Sequence, residues 1–250
     1  MSMEFDADRM RGSLEELDDA HHESMRTLSS DIHELHAETR KAVGGTSRRQ
    51  FLIRAGIAST AITIGSQVLP MSSLWSPAFG QALTDADIAA YSASVEYAAV
   101  AAYMAAAGSG KVKTPDVLAA ATLFLTQHKE HGDAFAGASD GKAVKDQANE
   151  TLVAAIGGQI AQAADEKAIL KIAYDTENAA AATYQFALGV LKDPSARKLT
   201  ASILPIEAGH AAVLGLVLGL DPKTTADFLP KAQTETGALV PPDKFPVKKK

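Results

Sequence analysis

Apolar residues recur along this chain at three- and four-residue steps, the spacing of helix faces rather than of strands. From Thr84 onward the pattern predicts helix nearly throughout. Thr84 is placed to cap a first helix that runs through Asp85, Asp87 and an alanine-rich stretch to the break Gly108-Ser109-Gly110. Thr114 caps a second, with Pro115 at its first position and an end near Gly137. Residues 150–164 form a short, glycine-interrupted helix or connector. A third helix runs from about Asp165 to Leu191. A fourth starts at Asp193-Pro194 and ends near Gly219, and Pro205 is expected to kink it just before Glu207. No alternating β pattern of useful length is present, so the fold class is all-α.

The first 45 residues form a leader with a helical pattern of their own. Leu14, Leu17, His21, Leu28 and Leu35 share one stripe, with charges between them. The leader reads as a solvated amphipathic helix, and its histidines, His21-His22 and His33-x-x-His36, as solvated among many acids. Eleven acids against five bases give this leader the whole net charge of −6, and the other residues balance at nineteen of each. A neutral body without a basic stripe offers no footprint for nucleic acid. Cysteine is absent. That excludes disulfides, thiolate-bound zinc, iron–sulfur clusters and thiol catalysis, and leaves any metal to His and carboxylate.

Residues 46–82 have a different character. Thr46-Ser47-Arg48-Arg49-Gln50-Phe51-Leu52-Ile53-Arg54 precedes a mildly apolar run, Ala55 to Leu69, then Pro70 and small residues ending in Gly80-Gln81-Ala82. This segment resembles a twin-arginine (Tat) translocation signal. The resemblance implies that the Tat machinery reads Arg48 and Arg49. It also implies folded export across the cytoplasmic membrane to the periplasm or envelope, with cleavage at the small residues or retention as an anchored form. The long leader ahead of the arginines is unusual for such a signal.

The helical body, residues 83–220, contains a repeat. Glu96 lies seven residues before Tyr103, and Glu177 seven before Tyr184. Each is followed by a helix with two ligand-type residues three apart: His128 and His131, then Glu207 and His210. Glu96 to His131 spans 35 positions and Glu177 to His210 spans 33. Two similar hairpins would pack into one bundle about a pseudo-two-fold. The helical neighbours of Glu96, Glu177 and Glu207 are mostly apolar, so each carboxylate sits on a buried stripe, where a shared cation would offset several kcal/mol of desolvation. Glu130 has polar neighbours and is expected to face water, and Lys129–Asp133 reads as a surface pair.

These residues resemble the ferritin-like superfamily, in which one Glu from each of two helices joins a Glu-x-x-His from each of the other two around a metal pair. Glu207-x-x-His210 matches one such pair, Glu96 and Glu177 the single glutamates, and His131 the second histidine. His128 stands where the pattern has glutamate. The resemblance implies one or two divalent ions, iron or manganese with zinc as a further candidate, held by Glu96, His128, His131, Glu177, Glu207 and His210. Because one imidazole nitrogen cannot bridge two metals, a single ion and an unequal pair both stay open. Binding is expected to weaken as pH falls through roughly 6 to 7, where histidines protonate. The functional expectation is an exported oxidoreductase whose substrate is a small oxidant, oxygen or a reactive oxygen species. The alternative is a non-enzymatic envelope bundle with a structural metal or none. A homo-oligomer is compatible with either. Residues 221–250 read as a short helix, Thr224–Leu229, and an extended tail.

Overall fold

The computed structural model describes residues 7–43, 61–64, 67–70 and 84–220, with side chains described for residues 7–28 and 84–220. Helix α1 covers Ala7–Val43, and a short antiparallel hairpin follows, β1 Ala61–Ile64 with β2 Gln67–Pro70. Then come α2 Asp85–Gly108, α3 Pro115–Gly137, α4 Glu150–Gln162, α5 Glu166–Val190 and α6 Pro194–Val217. The fold is all-α and ferritin-like, apart from that hairpin. Its β-branched Ile62, Thr63, Ile64 and Val68 suit extended backbone locally, which a search for longer alternation passes over. The twin-arginine pair, the Gly80-Gln81-Ala82 stretch and the Thr224–Leu229 segment lie outside the described residues.

Helix α2 packs along α3, and α5 along α6, as the two expected hairpins. Nearly every residue of α2 from Ala86 to Ala99 is buried. A helix that is apolar on all sides belongs in a core, and its alanines allow α3, α4 and α5 to approach closely. Leu152, Ile156 and Ile160 make one stripe of α4, which lies between the hairpins and packs on α2 and α5. α6 is apolar and long enough to cross a membrane by length and composition, but its buried face lies in the bundle core.

Local chemistry sets the helix ends. Thr84 and Asp87 form a reciprocal capping box on α2. Asp165 accepts from Ala168 N at 2.9 Å, and Asp193 from Ser195 N at 2.8 Å. Thr114 does not cap α3 with its own side chain. Its hydroxyl instead donates to Glu166 Oε1 at 2.6 Å, and Glu166 Oε2 accepts from Lys113 N and Thr114 N at 2.6 and 3.0 Å. The carboxylate that opens α5 thus closes the N-terminus of α3, where negative charge is favoured. After α6, Gly219 takes a left-handed φ of 75°, and Leu220 N donates to Gly215 O, a Schellman stop.

The leader is not a solvated helix. α1 lies against α6 and α3, with Met10, Leu14 and His21 buried. Arg11 makes a two-pronged contact with Asp116 at 3.0 and 3.1 Å, and Leu17 fits over Gly209, where a Cβ would collide with it. Leu14, Leu17, His21 and Leu28 of the stripe seen in the sequence therefore lie on the docking face, and Leu35 lies where side chains are not described. His22 is exposed, and His33 and His36 lie where side chains are not described.

Candidate metal centre

The bundle brings together all six residues singled out in the sequence, each at most 1 % exposed. They form two overlapping groups whose ligand atoms lie within 4.8 Å of one another. One is Glu96, His128, His131 and Glu207, and the other is His128, Glu177, Glu207 and His210. His128 and Glu207 belong to both. His128 and His131, one turn apart on α3, meet in the first group, and His128 also stands in the second, its Nδ1 2.7 Å from Glu96 Oε2 and its Nε2 3.1 Å from Glu177 Oε1.

Around this centre, His131 Nδ1 lies 2.8 Å from Glu207 Oε1. His210 Nδ1 lies 3.3 Å from Glu177 Oε2 and 3.4 Å from Glu207 Oε2. Although close, the contacts of Glu207 lack the angles of hydrogen bonds: both its carboxylate oxygens and His131 Nδ1 are buried without a hydrogen-bond partner. Orphaned groups of this kind are rare in cores because each costs about 1–3 kcal/mol or more if charged. Converging carboxylate oxygens and imidazole lone pairs without proper hydrogen bonds fit a shared cation. Nitrogen donors in the set favour iron, manganese or zinc over calcium or magnesium.

Two tyrosines close the site. Tyr103 donates to Glu177 Oε1 at 2.5 Å and Tyr184 donates to Glu96 Oε1. Each tyrosine serves the glutamate of the opposite helix, a crossing that the Glu…Tyr spacing on one helix does not reveal. Burial, together with the neighbouring glutamate charge, raises both phenols well above their ordinary value, so they remain donors.

Without a metal, protons supply the positive charge. Burial pushes the Glu96 carboxyl up, but the hydrogen bond from His128 and the nearby His131 imidazole outweigh it and bring it down to about 2. Burial lowers the His131 imidazole, yet Glu207 and Glu96 raise it to about 9. His128, also lowered by burial, is lifted well above its ordinary value chiefly by Glu177 and Glu207. Glu177 is held well below the usual carboxylate range, with burial opposing and the charges of His128 and His210 prevailing.

Residues that the sequence left aside complete the surroundings. Gln127 Oε1 lies 2.7 Å from His210 Nε2, and Gln127 Nε2 donates to Asp18 at 3.0 Å. His21 Nδ1 lies 3.3 Å from His131 Nε2, and its Nε2 2.8 Å from Glu130 Oε2. Glu130 is partly exposed, as its polar neighbours implied, and Lys129–Asp133 is the expected surface pair at 2.7 Å. The place of His21 on the leucine stripe was the signal for its burial.

The model of the ferritin-like domain family matches residues 84–220, and the chain belongs to that family. No curated protein and no solved structure matches it.

Proposed function

We propose that this is a metal-binding ferritin-like protein that holds iron or manganese and has oxidoreductase activity towards a small oxidant, oxygen or a reactive oxygen species, outside the cytoplasm. The observation that carries the metal reading is Glu207, shared by both groups and fully buried with neither oxygen hydrogen-bonded. Glu96, Glu177, Glu207, His131 and His210 would hold the ion, with His128 able to give it one nitrogen. A neutral imidazole has one lone pair and one N–H. His128 therefore serves one position as a ligand and the opposite glutamate as a donor, which favours one ion per chain over an equal pair. Iron or manganese, when bound, supplies one-electron redox chemistry there. Zinc suits the same donors but supplies none.

The chain's own residues shape access and protonation. A cavity of about 50 Å³, lined by Met10, Ala99, Phe124 and Ile156, reaches Tyr103 and Glu177. Its size exceeds one water and its walls are apolar, which suits a small uncharged molecule such as dioxygen. A smaller space of about 10 Å³ touches Glu96, His128, Glu177 and Tyr184. Tyr103 and Tyr184 hold protons at one oxygen each of Glu177 and Glu96, fixing those carboxylates; Glu96 Oε2 is left to His128 and Glu177 Oε2 to His210, while Glu177 Oε1 is shared by Tyr103 and His128.

The depth of the site favours a second reading, a structural metal, since all six residues are at most 1 % exposed. Oxygen consumption after ferrous iron is added to metal-free protein separates the two. Uptake that Glu207→Gln abolishes supports the oxidoreductase, whereas stoichiometric iron binding without uptake supports the structural role. Export is read from Arg48 and Arg49. Replacing both with lysine is expected to leave the protein in the cytoplasm, and unchanged delivery across the membrane contradicts export by that route.

A further inference from the structure

The leader reaches the centre by two routes. His131 and His210 turn Nδ1 towards the carboxylates and Nε2 outward. Beyond His131 Nε2 lies His21 Nδ1 at 3.3 Å, and beyond His21 Nε2 lies Glu130 Oε2 at 2.8 Å. Beyond His210 Nε2 lies Gln127 Oε1 at 2.7 Å, whose amide donates to Asp18 Oδ1 at 3.0 Å. Asp18 and His21 are three residues apart, on one face of α1. His21 is the sole histidine of α1's described side chains that is buried, at 1 % exposure.

Each route assigns tautomers when read from its acceptor end. Glu130 accepts, so His21 Nε2 carries the proton and Nδ1 accepts from His131 Nε2–H. Gln127 Oε1 accepts from His210 Nε2–H, because the Gln127 amide nitrogen is turned to Asp18. When neutral, both ligand histidines are thereby left with a bare Nδ1 facing the carboxylates, the form that binds a metal. Partners on the remote nitrogen of a ligand histidine fix ring orientation and raise basicity.

We propose that α1 is a built-in cap of the metal centre, in which His21 and, through Gln127, Asp18 are positioning residues that hold His131 and His210 ready to bind. This inference rests on the metal reading above. Docking supports it: Met10 and Leu14 are buried, Leu17 uses the space left by Gly209 between Glu207 and His210, and Ser24 donates to Ser202 O at 3.3 Å. The leader's buried polar side chain thus meets the bundle where a site histidine ends.

The test uses the full chain with cobalt(II) as probe, read by its visible ligand-field bands and by competition with a chelator. His21→Phe fills the space without an acceptor, and His21→Asn keeps an acceptor oxygen near the place of Nδ1. His21→Phe is expected to weaken cobalt binding roughly 10–100-fold and to shift the bands. His21→Asn is expected to recover most of both, although it packs less well, and Asp18→Ala to weaken binding in the same range. If wild type binds cobalt and His21→Phe binds it with the same affinity and spectrum, the cap has no positioning role. A loss in which Asn does no better than Phe also overturns it, because packing alone then explains the effect. A wild-type chain that binds no cobalt overturns the metal reading, and the inference with it.

Discussion

Tyr103 on α2 donates its hydroxyl proton to Glu177 on α5 at 2.5 Å, across the bundle. Tyr184 on α5 returns the same contact to Glu96 on α2. The two contacts are related by the pseudo-two-fold of the hairpins, so the Glu…Tyr repeat has a structural purpose: each helix supplies one buried glutamate and steadies the other's. Tyr103→Phe keeps the ring that packs beside Phe124 and removes only the donor. A hydrogen bond to a buried charge contributes about 1.5–3 kcal/mol. We expect Tyr103→Phe and Tyr184→Phe each to lower the unfolding free energy of chelator-treated protein by about that amount. Chemical denaturation measures it, and an unchanged midpoint in both would contradict the contact.

Gly132 and Gly209 look alike in sequence, but their surroundings differ. A Cβ on Gly132 would lie 2.7 Å from Tyr97 Cε1, an edge of a ring anchored by its hydroxyl to Asp133 at 2.9 Å. Such a ring cannot fold away, so Gly132→Ala should cost about 1–3 kcal/mol, the range for overpacking. At Gly209 the obstacle is the tip of Leu17, which can rotate. Gly209→Ala should therefore cost less, through looser docking of α1. Thermal unfolding of the two variants checks the order. A larger loss at Gly209 would show α1 to be held more rigidly than the contacts imply.

How far the sequence carried this site depends on where each signal resides. Glu96, Glu177, Glu207, His131 and His210 were legible because a carboxylate or imidazole on an apolar helical stripe has few fates besides burial with a partner. The helix ends were legible from Thr84, Pro115, Asp165 and Asp193 because caps act within a turn or so. His21 was misjudged for the opposite reason. Its local surroundings are acidic and polar, and only the docking of α1 on α6 buries it. Glu166 closing α3 in place of Thr114, and the crossing of Tyr103 with Tyr184, likewise need two helices to be placed before they exist. Periodicity marks the inward face of a helix but not what lies across from it.

On the proposed metal reading, His128 is expected to set the metal count. His128→Glu restores a carboxylate able to bridge both groups and should raise the metal content towards two ions per chain. His128→Ala removes the contacts to Glu96 and Glu177 and should lower affinity while the bundle stays folded, since alanine suits a helix. Metal analysis and circular dichroism of the three proteins decide this. Equal metal content in all three would make His128 a core histidine with no part in binding.

The pH dependence should have opposite signs with and without metal. In metal-free protein, His131 is raised to about 9. A raised imidazole contributes stability that is full below its unfolded value, about 6.5, and is lost as pH rises through its folded value. Glu96, lowered to about 2, contributes stability present above the unfolded carboxyl value and lost as pH falls through its folded one. Chelated protein should therefore be most stable between about pH 4.5 and 6.5 and weaken towards pH 9. Metal binding requires deprotonated ligands, so affinity should climb over that upper range. The window lies above the 6 to 7 of an ordinary histidine because Glu207 and Glu96 hold the His131 proton. Thermal midpoints at about pH 6.5 and 9, with and without chelator, test both signs, and parallel trends would contradict the ligand assignment.

The central claim is that Glu207 and its neighbours hold a metal ion. The most direct measurement is the metal content of the purified full chain, before and after chelation and reloading, beside Glu207→Gln. About one equivalent of iron or manganese per wild-type chain is predicted, removed by chelator, restored by ferrous or manganous ion, and lost in Glu207→Gln. A wild-type chain that carries no metal and takes up none from iron, manganese or zinc would contradict the account, and would leave the centre as a buried network of histidines and carboxylates.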